Sequence, residues 1–188
     1  DAKEESIERI FDALYYKENS NCKAVIVTGC LSQRYFEDIK NNIPEIDAIL
    51  GISNFDKLPS VIKKVMNDNK FYKITEDHFN YNSELPRDYS DKYSAYLKIA
   101  EGCNNNCTYC TIPQIRGKLK SREIEDIVDE ARNMAQNDVK EIIVIAQDTT
   151  QYGVDIYGES KIVSLLKELV KVDGIKWIRL MYTYPERI

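Results

Sequence analysis

The chain has 188 residues, of which 43% are hydrophobic and 30% charged, and its formal net charge is −5. This length suits one or two small domains, and the apolar content argues against a disordered chain. Neither half is strongly basic, which excludes a basic nucleic-acid-binding module. No apolar run approaches the ~20 residues of a membrane helix, and no signal peptide is recognisable, so no membrane partner is expected.

The first 69 residues predict a small parallel α/β domain. Apolar residues at helical spacing alternate with short apolar runs that are typical of buried strands. The predicted order is helix, strand, helix, strand and helix, over residues 2–17, 24–27, 32–41, 48–50 and 55–66. Such an alternation indicates a Rossmann-like parallel sheet. Residues 70–93 are polar with scattered aromatic residues and no clear period, and we interpret them as a linker.

Residues 94–188 repeat the order strand, loop and helix. Strands are predicted over 95–100, 142–145 and 176–182, with helices after Ser121 and over 160–170. Ser121 is expected to cap its helix. This pattern predicts the first part of a (β/α) partial barrel, in which active sites lie in the loops that follow the strands. Overall, the fold class is α/β, with a Rossmann-like domain followed by this truncated barrel domain.

Three of the five cysteines, Cys103, Cys107 and Cys110, lie within eight residues in the spacing C-x3-C-x2-C. An odd cysteine count with this clustering is a poor disulfide framework, but it is typical of a metal site in a reducing compartment. We therefore predict a cytoplasmic protein. Thiolates hold iron–sulfur clusters, and three thiolates on a four-iron cubane leave one iron open for a ligand that is not protein.

Three other interpretations of these cysteines are less consistent with the sequence. Buried apolar cysteines are disfavoured because three asparagines, residues 104–106, lie between the first two. A structural zinc site needs four ligands, and His78, the only histidine, is the one candidate for the fourth. A ferredoxin-type cluster also needs a fourth thiolate, and Cys30 is far away in sequence. The open cubane is favoured.

This cysteine loop, with an aromatic residue before its last cysteine, resembles the signature of the radical S-adenosylmethionine superfamily. The resemblance implies that the open iron of a 4Fe-4S cluster binds the amino and carboxylate groups of S-adenosylmethionine. The cofactor then yields a 5′-deoxyadenosyl radical, while the protein orients it. Tyr109 would lie against the adenine; ordinary loop packing is the equally weighted alternative. No catalytic residue is assigned beyond the cluster.

Two further regions are candidates for cofactor binding. Four basic residues in seven follow the cysteines, and Arg116 and Arg122 are the better candidates for binding an anionic group. The two lysines between them suit a solvated helix entrance. In the superfamily, the loop after the second strand often contacts the methionyl amino group, and here the resemblance points to Gln147. Asp148 and Thr149, which follow Gln147, are expected to face the substrate instead of the cofactor.

A narrower resemblance, to the methylthiotransferase family, rests on three segments: the run from Glu101 to Arg122, residues 27–35, and residues 145–153. The last of these, Ile-Ala-Gln-Asp-Thr-Thr-Gln-Tyr-Gly, is similar to the branch that modifies an aspartate of ribosomal protein S-twelve. Relatives that modify tRNA differ there. The resemblance covers essentially the whole chain.

That family carries a second 4Fe-4S cluster on three cysteines of its first domain, and only Cys30 matches one of them. A buried cysteine at a strand end is the alternative for Cys30, and Cys22 is interpreted as structural. The resemblance implies that the other two ligands, the remaining barrel strands and a nucleic-acid-binding-type domain lie outside this sequence. We therefore expect a fragment that is inactive alone.

The sequence thus predicts methylthiolation of the β-carbon of that aspartate, with sulfur supplied at the auxiliary cluster. Ribosomal protein S-twelve or the small ribosomal subunit and an electron donor are the expected partners. Nucleic acid is expected to contact only the domain outside this sequence. Methylthiolation of tRNA is the alternative function, and a non-catalytic metal-binding module is a weaker one.

Overall fold

The structure, a computed structural model, describes residues 1–74 and 93–187. The chain forms two compact units, Asp1–Phe79 and Asn80–Ile188, and each has its own parallel sheet. His78 and most of the predicted linker lie outside the described residues. No helix in the described ranges is long and apolar enough to cross a bilayer.

The first unit alternates helices with three short parallel strands. Its elements are α1 (Ala2–Asn19), β1 (Ile26–Thr28), α2 (Cys30–Arg34), α3 (Phe36–Asn42), β2 (Ala48–Leu50), a 3-10 helix (Ile52–Lys57), α4 (Leu58–Val65) and β3 (Phe71–Lys73). The sheet order is β1-β2-β3, and Ala48 lies opposite both Ile26 and Phe71. The amphipathic helices cover this sheet, so the predicted parallel α/β domain is confirmed.

Local sequence explains most of the boundaries in this unit. Asp1 caps α1 in a capping box with Glu4, which satisfies amide groups that the first helical turn leaves without partners. The predicted helix over 32–41 is divided at Tyr35, whose φ and ψ are not helical. The predicted linker begins too early, because Phe71–Lys73 forms β3. The Phe71 amide donates to the Asp47 carbonyl at 2.9 Å and extends the sheet.

The second unit has a parallel sheet and a two-stranded antiparallel ribbon. Its elements are β4 (Ser94–Lys98), β5 (Ala100–Glu101), α5 (Ile112–Arg116), β6 (Lys120–Ser121), α6 (Ile124–Gln136), β7 (Glu141–Ile145), a 3-10 helix (Thr149–Gln151), α7 (Val154–Tyr157), α8 (Ile162–Leu169), β8 (Trp177–Leu180) and a 3-10 helix (Pro185–Arg187). The parallel strands lie in the order β4-β7-β8, and the ribbon pairs β5 with β6.

Helices α6 and α8 connect the parallel strands and bury their apolar faces against the sheet. The largest fully buried residues of this core are Tyr152, Leu97, Ile99, Ile127, Met134, Ile142, Leu165 and Leu169. Strand–helix–strand repetition with parallel pairing is the pattern of a (β/α) barrel, and the predicted fold class is confirmed. The carboxyl ends of β4, β7 and β8 therefore lie at one edge of the sheet.

The prediction for Ser121 is wrong. Ser121 lies in β6, and α6 begins at Ile124 with Glu123 as its N-cap. The Ser121 hydroxyl instead accepts a hydrogen bond from the Gly153 amide at 2.9 Å. A serine near acidic residues resembles a helix cap in sequence. Here Ser121 pairs with Ala100 of β5 and lies two residues before the N-cap, Glu123.

Candidate functional site

The cysteine loop leaves β5 and returns through α5 to β6. Cys103 donates its backbone N–H to the Gly117 carbonyl at 3.2 Å, which closes the loop at its base. Inside the loop, the Cys110 amide donates to the Cys107 carbonyl at 3.0 Å and forms a tight turn. The ribbon of β5 and β6 thus fixes both ends of the segment that carries the three thiols.

Gly102 makes this closure sterically feasible. Its φ is +71°, in the left-handed region that side chains rarely adopt. A Cβ atom at this position would lie 2.2 Å from the Lys118 carbonyl oxygen, inside any permissible contact distance. The close backbone approach that seats Cys103 therefore requires glycine.

The three thiols are half-buried, and two of them accept backbone hydrogen bonds. The Asn105 amide donates to Cys103 Sγ at 3.4 Å, and the Ile112 amide donates to Cys110 Sγ at 3.5 Å. Cys107 raises the pKa of the Tyr184 hydroxyl, first through its charge and then through a side-chain hydrogen bond. Amide donors stabilise thiolates, as in iron–sulfur proteins, so this donor set fits a cluster.

The described residues contain no group of three His, Cys, Asp or Glu side chains close enough to hold a single metal ion. A zinc ion needs its ligands around one point, whereas the cysteines of a cubane bind separate irons and stand further apart. His78, the zinc ligand weighed from sequence, lies outside the described residues.

Gln147 and Asp148 follow β7 at the same sheet edge. Gln147 Oε1 is buried and has no hydrogen-bond partner among the described residues. Asp148 is only 2% exposed and accepts hydrogen bonds from Asn105 Nδ2 at 2.8 Å and from Arg187 Nη1 at 2.7 Å. The structure thereby brings the loop after β7 to the cysteine loop.

Arg116 belongs to a small cluster of charges at the base of the loop. Glu101, 6% exposed, accepts hydrogen bonds from Arg116 Nη1 at 2.8 Å and from Lys98 Nζ at 2.7 Å. Burial alone raises the pKa of the Glu101 carboxyl, but the hydrogen bonds and charges of these two cations outweigh it and lower that pKa. Glu101 is thus an anion that orients Arg116 beside the cysteines.

Arg122 has a different environment from Arg116. Its guanidinium is buried and donates to Asp126 at 2.7 Å and to Glu130 at 2.6 Å, both on α6. It also donates to the Lys98 carbonyl at 2.6 Å, which joins α6 to the end of β4. These contacts give Arg122 a structural role, and the prediction that it binds the cofactor finds no support in them.

The remaining predicted residues lie in two places. Tyr109, between the second and third cysteines, is 86% exposed, so its ring is available to a ligand, as an adenine-stacking residue requires. In the first unit, Cys30 is exposed at the start of α2, directly after Gly29. Cys22 is half-buried against the apolar core and donates to the Ala24 carbonyl at 3.4 Å, as a structural cysteine does.

Four residues that shape this site received no role from the sequence: Glu101, Asn105, Tyr184 and Arg187. Glu101 stood within the quoted motif directly before Gly102, and its neighbouring cations were a usable signal. Asn105 was noted only as unsuited to an apolar core. Tyr184 and Arg187 follow β8, the third strand of a predicted barrel, which is where the fold places functional residues.

The sequence and the fold of this chain are similar to those of known proteins. Residues 97–187 match the Radical SAM superfamily. The fold resembles a radical S-adenosylmethionine methyltransferase, TsrM, from Kitasatospora setae, solved with cobalamin and a [4Fe-4S] cluster. That likeness has a TM-score of 0.56 at 12% identity and covers 88% of this chain and 37% of the other. The second unit is therefore a radical S-adenosylmethionine domain.

Similarity to curated proteins is closer and extends over both units. The chain is 50% identical over 188 residues to "Ribosomal protein uS12 methylthiotransferase RimO" of Clostridioides difficile, and 52% identical over 193 residues to the protein of that name from Clostridium tetani. Each match covers all of this chain and 42% of the relative. Over its whole length the chain is thus similar to methylthiotransferases, the family that the sequence resembles, and it spans less than half the length of these relatives.

Proposed function

We propose that the protein carrying this chain methylthiolates the β-carbon of an aspartate in ribosomal protein uS12. The observation that carries the proposal is the C-x3-C-x2-C loop at the carboxyl edge of a parallel sheet, with amide donors on two of its thiols. The full-length similarity to uS12 methylthiotransferases supports the choice of substrate.

In this proposal, Cys103, Cys107 and Cys110 hold a 4Fe-4S cluster whose remaining iron binds S-adenosylmethionine. When bound, this pair supplies the 5′-deoxyadenosyl radical that removes hydrogen from the aspartate β-carbon. The protein contributes the thiolates and the amides that stabilise their charge. The closed base of the loop fixes the positions of these groups before the cofactor arrives.

Gln147 is the residue we propose for the methionyl amino group. That group is a pure hydrogen-bond donor, and the buried Gln147 Oε1 is an acceptor with no partner in the described part of the chain. Leaving such an acceptor unpaired is costly, so a ligand donor there is favoured. Arg116 suits the carboxylate of the cofactor, while the exposed ring of Tyr109 suits its adenine.

Cys30 is proposed as one ligand of the auxiliary 4Fe-4S cluster, which supplies the sulfur. Its exposure and its place after a parallel strand support this role. The partners in this proposal are ribosomal protein uS12, free or in the small subunit, and an electron donor. Clustered free thiols suit a reducing cytoplasm.

Mass spectrometry of uS12 and tRNA from a deletion strain tests the reaction. We expect the methylthio group to be missing from uS12 and restored by the natural full-length gene or by its Cys22→Ala variant. A Cys103→Ala gene should not restore it, because one cluster ligand is lost. Loss of methylthio groups from tRNA with uS12 unaffected would contradict the proposal and favour the sister reaction.

A further inference from the structure

Asn105, the middle of the three asparagines in the cysteine loop, joins this loop to both polar segments that follow β7 and β8. Its side-chain amide donates to Asp148 Oδ2 at 2.8 Å. Its carbonyl oxygen accepts from Gln151 Nε2 at 2.8 Å and from Arg187 Nη2 at 3.1 Å. Asn104, by contrast, accepts a hydrogen bond from the Leu119 amide at 3.0 Å.

The chemistry of the partners fixes the orientation of the Asn105 amide. Asp148 Oδ2 accepts from both Asn105 Nδ2 and Arg187 Nη1, whereas the Arg187 guanidinium only donates. The amide must therefore present its NH2 group to Asp148 and its oxygen to Arg187. Arg187 also donates to Asp148 at 2.7 Å, so the three side chains form a closed ring of hydrogen bonds.

This ring stands on a well-supported base. Asp148 is 2% exposed, and its other oxygen accepts from the amide and the hydroxyl of Thr150. Neighbouring Thr149 donates its hydroxyl to the Met181 carbonyl at 2.8 Å, which ties the loop after β7 to the end of β8. Asn105 thus binds to a rigid polar platform and not to a mobile surface.

The backbone of Asn105 contacts a cysteine of its own loop, because its N–H donates to Cys103 Sγ at 3.4 Å. A single residue therefore contacts a cluster ligand through its main chain and the two strand ends through its side chain. We propose that Asn105 is a positioning residue, which holds the cysteine loop on the strand ends and keeps its amide directed at Cys103. The role of Cys103 as a cluster ligand in this inference rests on the proposed function.

The inference is tested by amide hydrogen exchange of the full-length apoprotein and by the reduction potential of the reconstituted cluster. In Asn105→Ala we expect exchange over residues 103–110 to rise about tenfold or more, the factor that corresponds to losing a hydrogen bond to a charged partner. The potential should become more negative, because hydrogen bonds to sulfur favour the reduced cluster. The exposed neighbour, as Asn106→Ala, should change neither.

A charge swap separates positioning from general damage to the fold. Asn105→Asp places two carboxylates together and should loosen the loop, whereas Asn105→Asp combined with Asp148→Asn restores one donor and one acceptor. Arg187 and Gln151 keep an acceptor at position 105 in this pair, and Thr150 keeps one at position 148, while the hydrogen bond of Arg187 to Oδ2 of residue 148 is lost. We expect the double variant to recover most of the exchange protection and of the potential, with a coupling that additive effects would not produce.

Unchanged exchange and potential in Asn105→Ala, or additive losses in the double variant, would overturn the inference. Hydrogen exchange is measured without a cluster, so it tests the ring of hydrogen bonds even if the proposed function fails. Conversely, a protein that carries a cluster but does not cleave S-adenosylmethionine would contradict the proposed function and leave the exchange result valid.

Discussion

Each unit presents a glycine–cysteine pair directly after a strand, but the two pairs have very different surroundings. Gly29 and Gly102 both have positive φ, +114° and +71°. Among the described residues, nothing lies within 4 Å of a Cβ built on Gly29, whereas Gly102 is pressed against the Lys118 carbonyl. Cys30 is exposed, while Cys103 is half-buried and accepts an amide hydrogen bond.

The difference indicates that the loop with a complete set of cluster ligands is also the loop whose backbone is more tightly constrained. The second unit has three cysteines on one loop, and backbone contacts at Gly102, Cys103 and Cys110 shape that loop in advance. The first unit supplies a single cysteine of the proposed auxiliary cluster, and this cysteine is exposed at the start of α2. Preorganisation thus accompanies the site whose ligands all lie in this chain.

Replacing cysteines should give the largest contrast. Cys107→Ser in the natural full-length protein should remove the cluster of the second unit and abolish formation of 5′-deoxyadenosine, because a thiolate ligand is lost. Cys30→Ser should lose iron as well but retain cleavage of S-adenosylmethionine. Iron and sulfide content, with chromatography of the nucleoside product, measures both. Product formation by Cys107→Ser would break the comparison.

Buried charges should give the next largest effect. Arg122→Met leaves Glu130 buried without its cation, at 5% side-chain exposure, and should lower the free energy of unfolding by about 3–5 kcal/mol. Lys17→Met in the first unit removes a more exposed pair with Asp47, at 27% and 18% exposure, and should cost about 1 kcal/mol. Urea unfolding followed by hydrogen exchange in each sheet distinguishes them. Equal losses would contradict the assigned structural role of Arg122.

The two glycines sharpen the comparison directly. Alanine at either position strains the backbone by about 1–3 kcal/mol. Gly102→Ala should cost a further ~1–3 kcal/mol, since its Cβ overlaps the Lys118 carbonyl. Thermal unfolding of the matched variants Gly29→Ala and Gly102→Ala measures the difference. If Gly29→Ala were the more damaging, the first loop would be more tightly packed than described.

Acid sensitivity should give the smallest effect. The residue before Gly102 is Glu101, whose pKa is lowered in the folded state, whereas Thr28 precedes Gly29. A lowered carboxyl pKa stabilises the fold above the unfolded value near 4.5, and this stability is lost as the pH falls through the folded pKa. The stability difference between the natural protein and Glu101→Gln should therefore shrink at acid pH, by on the order of 1 kcal/mol.

Urea unfolding across the acid range measures this difference, with Glu159→Gln as the control. Lys161 also lowers the pKa of Glu159, but this pair is exposed, so solvent screening should make the acid dependence of Glu159→Gln much weaker than that of Glu101→Gln. A stability gap between the natural protein and Glu101→Gln that stays constant with pH would contradict the proposed ionised state of Glu101.

Periodicity and spacing were enough to predict the parallel sheets, the helices and the cysteine loop. Strand Ala48–Leu50 was predicted to the residue because its apolar run is bounded by polar residues and Gly51. Strand Phe71–Lys73 was missed, since pairing with β2 and not local pattern makes it a strand. The contacts of Asn105 and Arg122 were equally unpredictable, because their partners lie 43 and 8 residues away.

The hydrogen bond from Cys103 to the Gly117 carbonyl also bears on how this site can be transplanted. The three cysteines take their spacing from a ribbon whose second strand ends at Ser121, eleven residues beyond the last thiol. A synthetic peptide of the motif alone would lack that return strand and would bind metal as a flexible chelator. A portable version of the site must include residues 100–121, with Gly102 and Gly117 in place.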